Sequence, residues 1–233
     1  MFNLFKSPQT LSTPNDRLQF YLLVLIRISL IVAIVWAGVV QDWENFGMSL
    51  LAYGSTYVPT FLERRYQVYL PIEFHLVIVG FLYGSLFLGE VVHAYDRFFW
   101  WDVMLHLSSG VVLGFVGFLI LYILHVQRRL KMTPGLIAFF SFCVALAGGA
   151  VWEIVEFLID QIFGTDMQKS NMDTMKDLIV DAVGAIGIVL AGRSYLIKAH
   201  HSPLARFVNN FVALNPQLFR PKRQVQKERS SNK

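Results

Sequence analysis

Charge and cysteine are scarce in this sequence. Of its 233 residues only 15% are Asp, Glu, Lys or Arg, against about 25% in soluble domains. Hydrophobic residues make up 55% and the mean hydropathy is +0.50. A soluble core of this length cannot hide so much apolar side chain, so an ordinary cytosolic enzyme and a disordered chain are both excluded. Cys143 is the only cysteine, which excludes an intrachain disulfide and a multi-cysteine zinc site. The sequence has no Walker-type phosphate loop, no G-x-S-x-G elbow and no H-E-x-x-H pair, so ATP-driven transport and serine hydrolysis have no support in this chain. Internal repeats of 20–50 residues and low-complexity tracts are absent as well.

What is present is long apolar runs. A membrane-crossing helix needs about 20 predominantly apolar residues. Six segments meet or approach this: 18–40, 46–62, 70–89, 101–124, 134–159 and 178–197. The second is short and has Pro59 near its end. The first exceeds the roughly 7–15 apolar residues of a secretory signal and lacks a clean small-x-small site after it, so it reads as an uncleaved anchor. The expected fold is therefore an all-α, polytopic integral membrane bundle of about six transmembrane helices. It forms one domain, residues 1–199, followed by a basic tail, 200–233.

Cations set the orientation. Lys6 and Arg17 precede the first span, Arg64 and Arg65 follow the second, and Arg128, Arg129 and Lys131 follow the fourth. Lys198, Arg206, Arg220, Lys222, Arg223, Lys227, Arg229 and Lys233 follow the sixth. With six spans all of these fall on one side, against Arg97, Lys169 and Lys176 on the other. Both termini are expected in the cytoplasm. Trp36, Trp43, Trp100 and Trp101 fall near the opposite ends, as an aromatic belt would. The net charge of +4 is a poor clue to a partner; its placement is the useful signal, and the basic tail is expected to rest on anionic lipid. The charges do not point to nucleic acid, because no recognition module accompanies them. Within the tail, the apolar patch 207–214 suits an interfacial helix, whereas 222–233 reads as disordered.

The polar residues inside the spans are organised. Asp102 and His106 are four apart and share a helical face, which Ser109 and Gly110 continue. Glu153, Glu156 and Asp160 make an acidic stripe at the end of the fifth span. Asp173, Asp177 and Asp181 make another at the start of the sixth. Given the orientation above, Asp102, His106, Glu153, Glu156, Asp177 and Asp181 all lie within about two turns of the outer surface, and Glu90 at the end of the third span joins that layer. Asp160 is expected just outside, in water. Trp152, Ile154, Val155 and Phe157 are expected to face lipid or other helices. The loop from Phe163 to Met175, with Gln168, reads as either a lid or a plain connector.

Carboxylates gathered in low dielectric bind protons, bind a cation or share a hydrogen-bonded network. His with Asp and Glu suits Zn, Mn or Fe. Asp102, His106, Glu153 and Glu156 are the candidate metal ligands and catalytic groups, with Gln168, Asp173, Asp177, Asp181 and Glu90 as substrate or loop residues. Such a site would bind a cation, a divalent one being the candidate cofactor, or a lipid-linked polar group, with hydrolysis as one chemistry it could support. A bare acid–base or proton-relay site is the other chemistry open to these residues. Two other classes stand beside it. A secondary transporter or proton-coupled channel would continue the polar path inward through Arg27, Glu73 and His75. A scaffold would use the polar groups for packing alone. Arg27 is expected to pair with an acid of another helix, and His93, His125, His200 and His201 to be interfacial or in the tail.

These motifs together also resemble a family. Asp102-x-x-x-His106-x-x-x-Gly110, Glu153-x-x-Glu156, Phe163-Gly164-Thr165-x-x-Gln168 and Asp173-Thr174-Met175-x-Asp177, with Gly184-Ala185, are similar to those of the YjdF-like bacterial inner-membrane proteins, a family of unknown function. The resemblance covers about residues 88–187. It departs in the loop, where Asp166 and Met167 intervene before Gln168. A more distant likeness, at the level of analogy, is to VanZ-like membrane proteins, some of which are linked to glycopeptide-antibiotic tolerance and the cell envelope. Both resemblances imply a bacterial cytoplasmic membrane, and neither implies a reaction.

Overall fold

The computed structural model describes residues 14–198 and 204–219. The expectations for His200, His201 and 222–233 fall outside them. Every described regular element is helical. The order is α1 (Pro14–Val39), α2 (Trp43–Ser55), α3 (Val58–Tyr66) and α4 (Ile72–Leu82), which runs on as a π-helical segment (Tyr83–Val91). Then come α5 (Ala94–Arg97), α6 (Trp101–Val126), α7 (Pro134–Phe163), α8 (Asn171–Lys198) and α9 (Ala205–Leu214), with a 3-10 turn at Pro216–Leu218. The chain divides between Trp101 and Asp102 into two compact units.

In the first unit, α1 shows why the fold needs a lipid solvent. Leu18, Tyr21, Leu25, Ile28, Val32, Val35 and Val39 recur at helical spacing and are all exposed. In water each such side chain would forfeit about 1.5–3 kcal/mol of burial energy. The inward face is narrower: Leu23, Leu30 and Ala37, seven residues apart, are buried. Leu30 packs in one cluster with Ala52 of α2 and Phe87 of the π segment. Asp42 caps α2 by accepting the Asn45 amide N–H at 3.2 Å. The Asn45 side chain adds a second bond at 2.7 Å, and these bonds hold the Asp42 carboxyl below its ordinary value.

The expected second span is not one helix. It breaks at Thr56–Tyr57 into α2 and α3, with Pro59 in the first turn of α3, where a missing N–H costs nothing. Arg27 of α1 meets this break. Its Nε donates to Thr56 Oγ1 and its Nη2 to the Thr56 carbonyl, both at 3.2 Å, and its guanidinium lies 4.4 Å from the centre of the Tyr57 ring. Among the described residues no acid pairs with Arg27, contrary to expectation. A hydroxyl, a carbonyl freed at the helix break and an aromatic face receive it instead.

In the second unit, α6, α7 and α8 pack through small residues. A Cβ at Gly110 of α6 would strike the Asp181 backbone carbonyl, and a Cβ at Gly184 of α8 would strike that of Leu107. Glycine at both positions lets the two backbones touch. Thr133 caps α7 by accepting the Leu136 amide at 3.3 Å, and Gly164, left-handed at φ 70°, ends it. The patch expected as an interfacial helix forms α9. Val208 and Phe211 are buried, Tyr195 Oη donates to Asn209 Oδ1 at 3.0 Å, and Gln127 Nε2 donates to the Leu218 carbonyl at 2.7 Å. This part of the tail therefore docks on the ends of α6 and α8.

Among the described residues four stretches are long and apolar enough to cross a membrane: Asp16–Val39, Ile72–Val91, Trp101–Val126 and Pro134–Phe163. The expected sixth span forms as one 28-residue helix, α8, but it is not among the four. It carries Asp173, Lys176, Asp177, Asp181, Arg193 and Lys198.

Candidate functional site

The second unit gathers its acids around one imidazole. His106 is buried on α6, and its two nitrogens face different partners. Nδ1 lies 3.4 Å from Asp181 Oδ2 of α8. Nε2 lies 3.7 Å from Asp102 Oδ1, one turn back on α6, and 4.0 Å from Glu153 Oε1 of α7. Asp177, one turn before Asp181 on α8, joins them: ligand atoms of Asp102, His106 and Asp177 all lie within 4.8 Å of one another. Glu153, Asp177 and Asp181 are at most 4% exposed, so these charges are withdrawn from water. A buried charge is tolerated only when it is paired, hydrogen-bonded or neutralised.

The shell divides into satisfied and unsatisfied groups. Asp181 is satisfied. Ser109 Oγ donates to its Oδ1 at 2.5 Å, His106 stands at its Oδ2, and Gly149 of α7 leaves the room its carboxylate occupies, where a Cβ would overlap it. The Ser109 oxygen is also 2.8 Å from the His106 carbonyl. Its single proton goes to the carboxylate, the stronger acceptor. By contrast, Glu153 Oε1 and Asp177 Oδ1 are buried and accept no hydrogen bond from any described residue. Gln168 and Thr174 flank the Glu153 carboxylate. Lys176 Nζ is held by Asp173 at 2.5 Å and lies 3.6 Å from Asp177 Oδ1. The Nε2 side of the ring thus has two carboxylates, Asp102 and Glu153, with Asp177 in the same cluster, and no donor among the described residues for Glu153 Oε1 or Asp177 Oδ1. At 3.7 and 4.0 Å the contacts are too long for hydrogen bonds. They are close to the spacing of two ligands on one tetrahedral ion, roughly 3.4 Å for bonds of about 2.1 Å.

The other candidates lie around or apart from this centre. Glu156, one turn along α7 from Glu153, accepts from the Trp152 indole at 2.8 Å and is not within ion-pair distance of His106. Asp173 is taken up by Lys176. Glu90 is exposed at the end of the π segment in the first unit, where His93 and Asp96 are the charges that act on it. His93 itself sits 3.6 Å from Asp96. Of the residues named for an inward path, Arg27 is engaged by Thr56 and Tyr57. His75 Nε2 lies 3.4 Å from Glu63 Oε2, while Glu63 Oε1 accepts the Leu70 amide at 2.7 Å. Trp152, Ile154, Val155 and Phe157 are exposed, as a lipid-facing surface of α7 requires.

Two roles were not visible in the sequence. Ser109 reads there as a small packing residue, yet it supplies the donor that fixes Asp181; its place three residues after His106, on the same face, was the available signal. Asp160 reads as a solvated acid, yet it organises the loop. Its carboxylate accepts from Thr165 Oγ1 at 2.6 Å and from the Met167 and Gln168 amides at 2.8 Å. An acid four residues before a glycine C-cap, followed by Thr, is the pattern that marks such a turn.

Comparison with known proteins gives a family and no reaction. An uncharacterised protein of Thermotoga maritima is 27% identical over 171 residues, which cover 73% of this chain and 85% of that protein. No solved structure matches. Residues 22–198 match the family described as Predicted membrane protein (DUF2238), in keeping with the resemblance to an uncharacterised membrane family. The chain is an all-α membrane protein that carries a buried acid–histidine cluster, and it belongs to that family.

Proposed function

We propose that this cluster is a divalent-cation site in the outer leaflet of the bacterial cytoplasmic membrane. In this reading the chain crosses the membrane six times, with α2–α3 and α8 completing the four apolar helices. Both termini are cytoplasmic, and the basic residues of the 200–233 tail rest on anionic lipid. His106 Nε2, Asp102, Asp177 and Glu153 hold the ion, and Glu156 stands one turn away. The observation that carries the reading is how His106 divides its neighbours. One satisfied carboxylate sits at Nδ1, Asp102 and Glu153 stand at Nε2, and Glu153 and Asp177 each keep one buried oxygen without a hydrogen-bond partner among the described residues. A metal-bound histidine is oriented in this way, with a carboxylate fixing the tautomer from behind so that the free nitrogen lone pair faces the ion. The ligand set of one imidazole and several carboxylates suits Zn, Mn or Fe better than Mg or Ca.

Such an ion offsets the excess negative charge, polarises a bound oxygen and lowers the pKa of a water. Around it, the residues of this chain do the rest. Asp181, held by Ser109, orients the ring. Gln168 and Thr174 offer hydrogen bonds beside Glu153 to a polar headgroup, and the exposed apolar face of α7 is open to lipid. The substrate class that fits is a lipid-linked polar group presented at the outer surface.

Thermal unfolding of the detergent-purified protein tests this. Chelator lowers the melting temperature, and Zn, Mn or Fe restores it, because a ligand at 100 times its Kd adds about 2.7 kcal/mol. His106→Gln loses the metal response while still folding. A wild-type protein indifferent to chelator and metals contradicts the proposal.

A further inference from the structure

We infer a second binding site, for the phosphate of an anionic phospholipid, at the far end of α6. It rests on the membrane placement above and is independent of the cation. His106 and His125 are 19 positions apart on α6, about 29 Å along the axis, which is close to the thickness of the hydrocarbon core. The turn from α6 to α7 therefore lies at headgroup depth on the opposite face. An open hollow of about 610 Å³ is found there.

Its lining has two characters. His125, Arg128 and Lys131 form the polar side, and Leu130, Met132 and Leu136 form part of the apolar side; among the described residues no acid lines it. A free phosphate or a nucleotide has no use for the apolar half, whereas a phospholipid has both an anionic headgroup and hydrocarbon to place. The Met132 amide donates to His125 Nδ1 at 3.3 Å, so the ring presents Nε2 as its donor. Thr133 opens α7 beside it, and the positive end of that helix dipole adds to the field.

Arg128 is the second, independent sign. Its backbone is left-handed, φ 58°, and the turn is fixed by Arg128 N donating to the His125 carbonyl and Arg129 N to that of Leu124, both at 3.0 Å. Glycine adopts this conformation freely and an arginine does not. The strained position carries a guanidinium that makes no ion pair among the described residues and lines the hollow.

This gives a test in which stability and binding move in opposite directions. Full-length protein in detergent is mixed with phosphatidylglycerol, phosphatidylcholine or inorganic phosphate. Retained lipid is read by native mass spectrometry, and stability by thermal unfolding. Wild type retains phosphatidylglycerol severalfold over phosphatidylcholine and ignores inorganic phosphate. Arg128→Gly melts no lower than wild type without lipid but loses much of the preference. Lys131→Gln, an exposed and structurally neutral change, lowers the preference as well. Replacing Lys222, Arg223, Lys227, Arg229 and Lys233 by Gln removes only the tail's own share and leaves most of the preference in place. The inference is overturned if the preference survives Arg128→Gly with Lys131→Gln, or disappears with the tail variant. It is equally overturned if inorganic phosphate stabilises as well as the lipid, or if wild type has no preference.

Discussion

At the scale of single residues, the site depends on Asp181, although Asp181 faces the back of the ring. Asp181→Asn keeps the shape but removes the charge behind His106, and changes to such outer partners typically cost about 10–100-fold in metal affinity. Isothermal titration with Zn or Mn is expected to show that loss with little change in melting temperature. The glycines give a contrasting pair. At Gly110 an added methyl meets the Asp181 backbone, which cannot swing aside, so Gly110→Ala is expected to destabilise by about 1–3 kcal/mol. At Gly187 of α8, which is exposed, nothing lies within 4 Å. There alanine is the better helix former by up to about 1 kcal/mol, so Gly187→Ala is expected to be neutral or stabilising. Denaturation of the two variants side by side checks both. Much of this centre was legible from spacing alone: Asp102 with His106, Glu153, and Asp177 with Asp181 each share a helical face. The division of roles was not. Spacing places side chains on a face, but which nitrogen meets which carboxylate depends on helix crossing, and that is set by contacts distant in sequence, such as Gly110 on Asp181.

At the scale of elements, the first half of the α7–α8 connection is organised around Asp160. Asp160 accepts three bonds from Thr165, Met167 and Gln168, and this brings Gln168 back beside Glu153. Asp160→Ala removes all three. Faster proteolysis between residues 164 and 170 is expected, with the helices intact by circular dichroism; an unchanged cleavage rate would show that the loop is ordered by something else. The helices themselves followed from apolar runs, and their ends fell within a few residues of expectation except in two places. Residues 46–62 read as one short span because hydropathy does not register a break at Thr56–Tyr57. That break persists because Arg27 takes up the Thr56 carbonyl. The start of α8 at Asn171 rather than near 178 was hidden because its first turns are acidic, and acids there read as a wet approach. Buried beside His106, Asp177 belongs to the helix and to the site.

At the scale of the whole molecule, composition was the surest guide. Too little charge for a soluble chain became helices whose apolar faces remain exposed, as on α1 and α7. The six-crossing arrangement is checked in a Cys143→Ala background, with single cysteines at Lys169 and at Arg129. A membrane-impermeant thiol reagent applied to intact cells is expected to label the first and not the second; labelling of both or neither contradicts the orientation. Charge separation then has a chemical meaning. In the second unit Arg128, Arg129 and Lys131 lie at one end of α6, and acids near its other end converge on one histidine, with more negative charge than the described residues neutralise. The most direct test of that claim is elemental analysis of the purified protein, wild type beside His106→Ala. The account predicts close to one Zn, Mn or Fe per wild-type chain and a loss of that metal in the variant. No stoichiometric metal in wild type, or the same content in both, would contradict it.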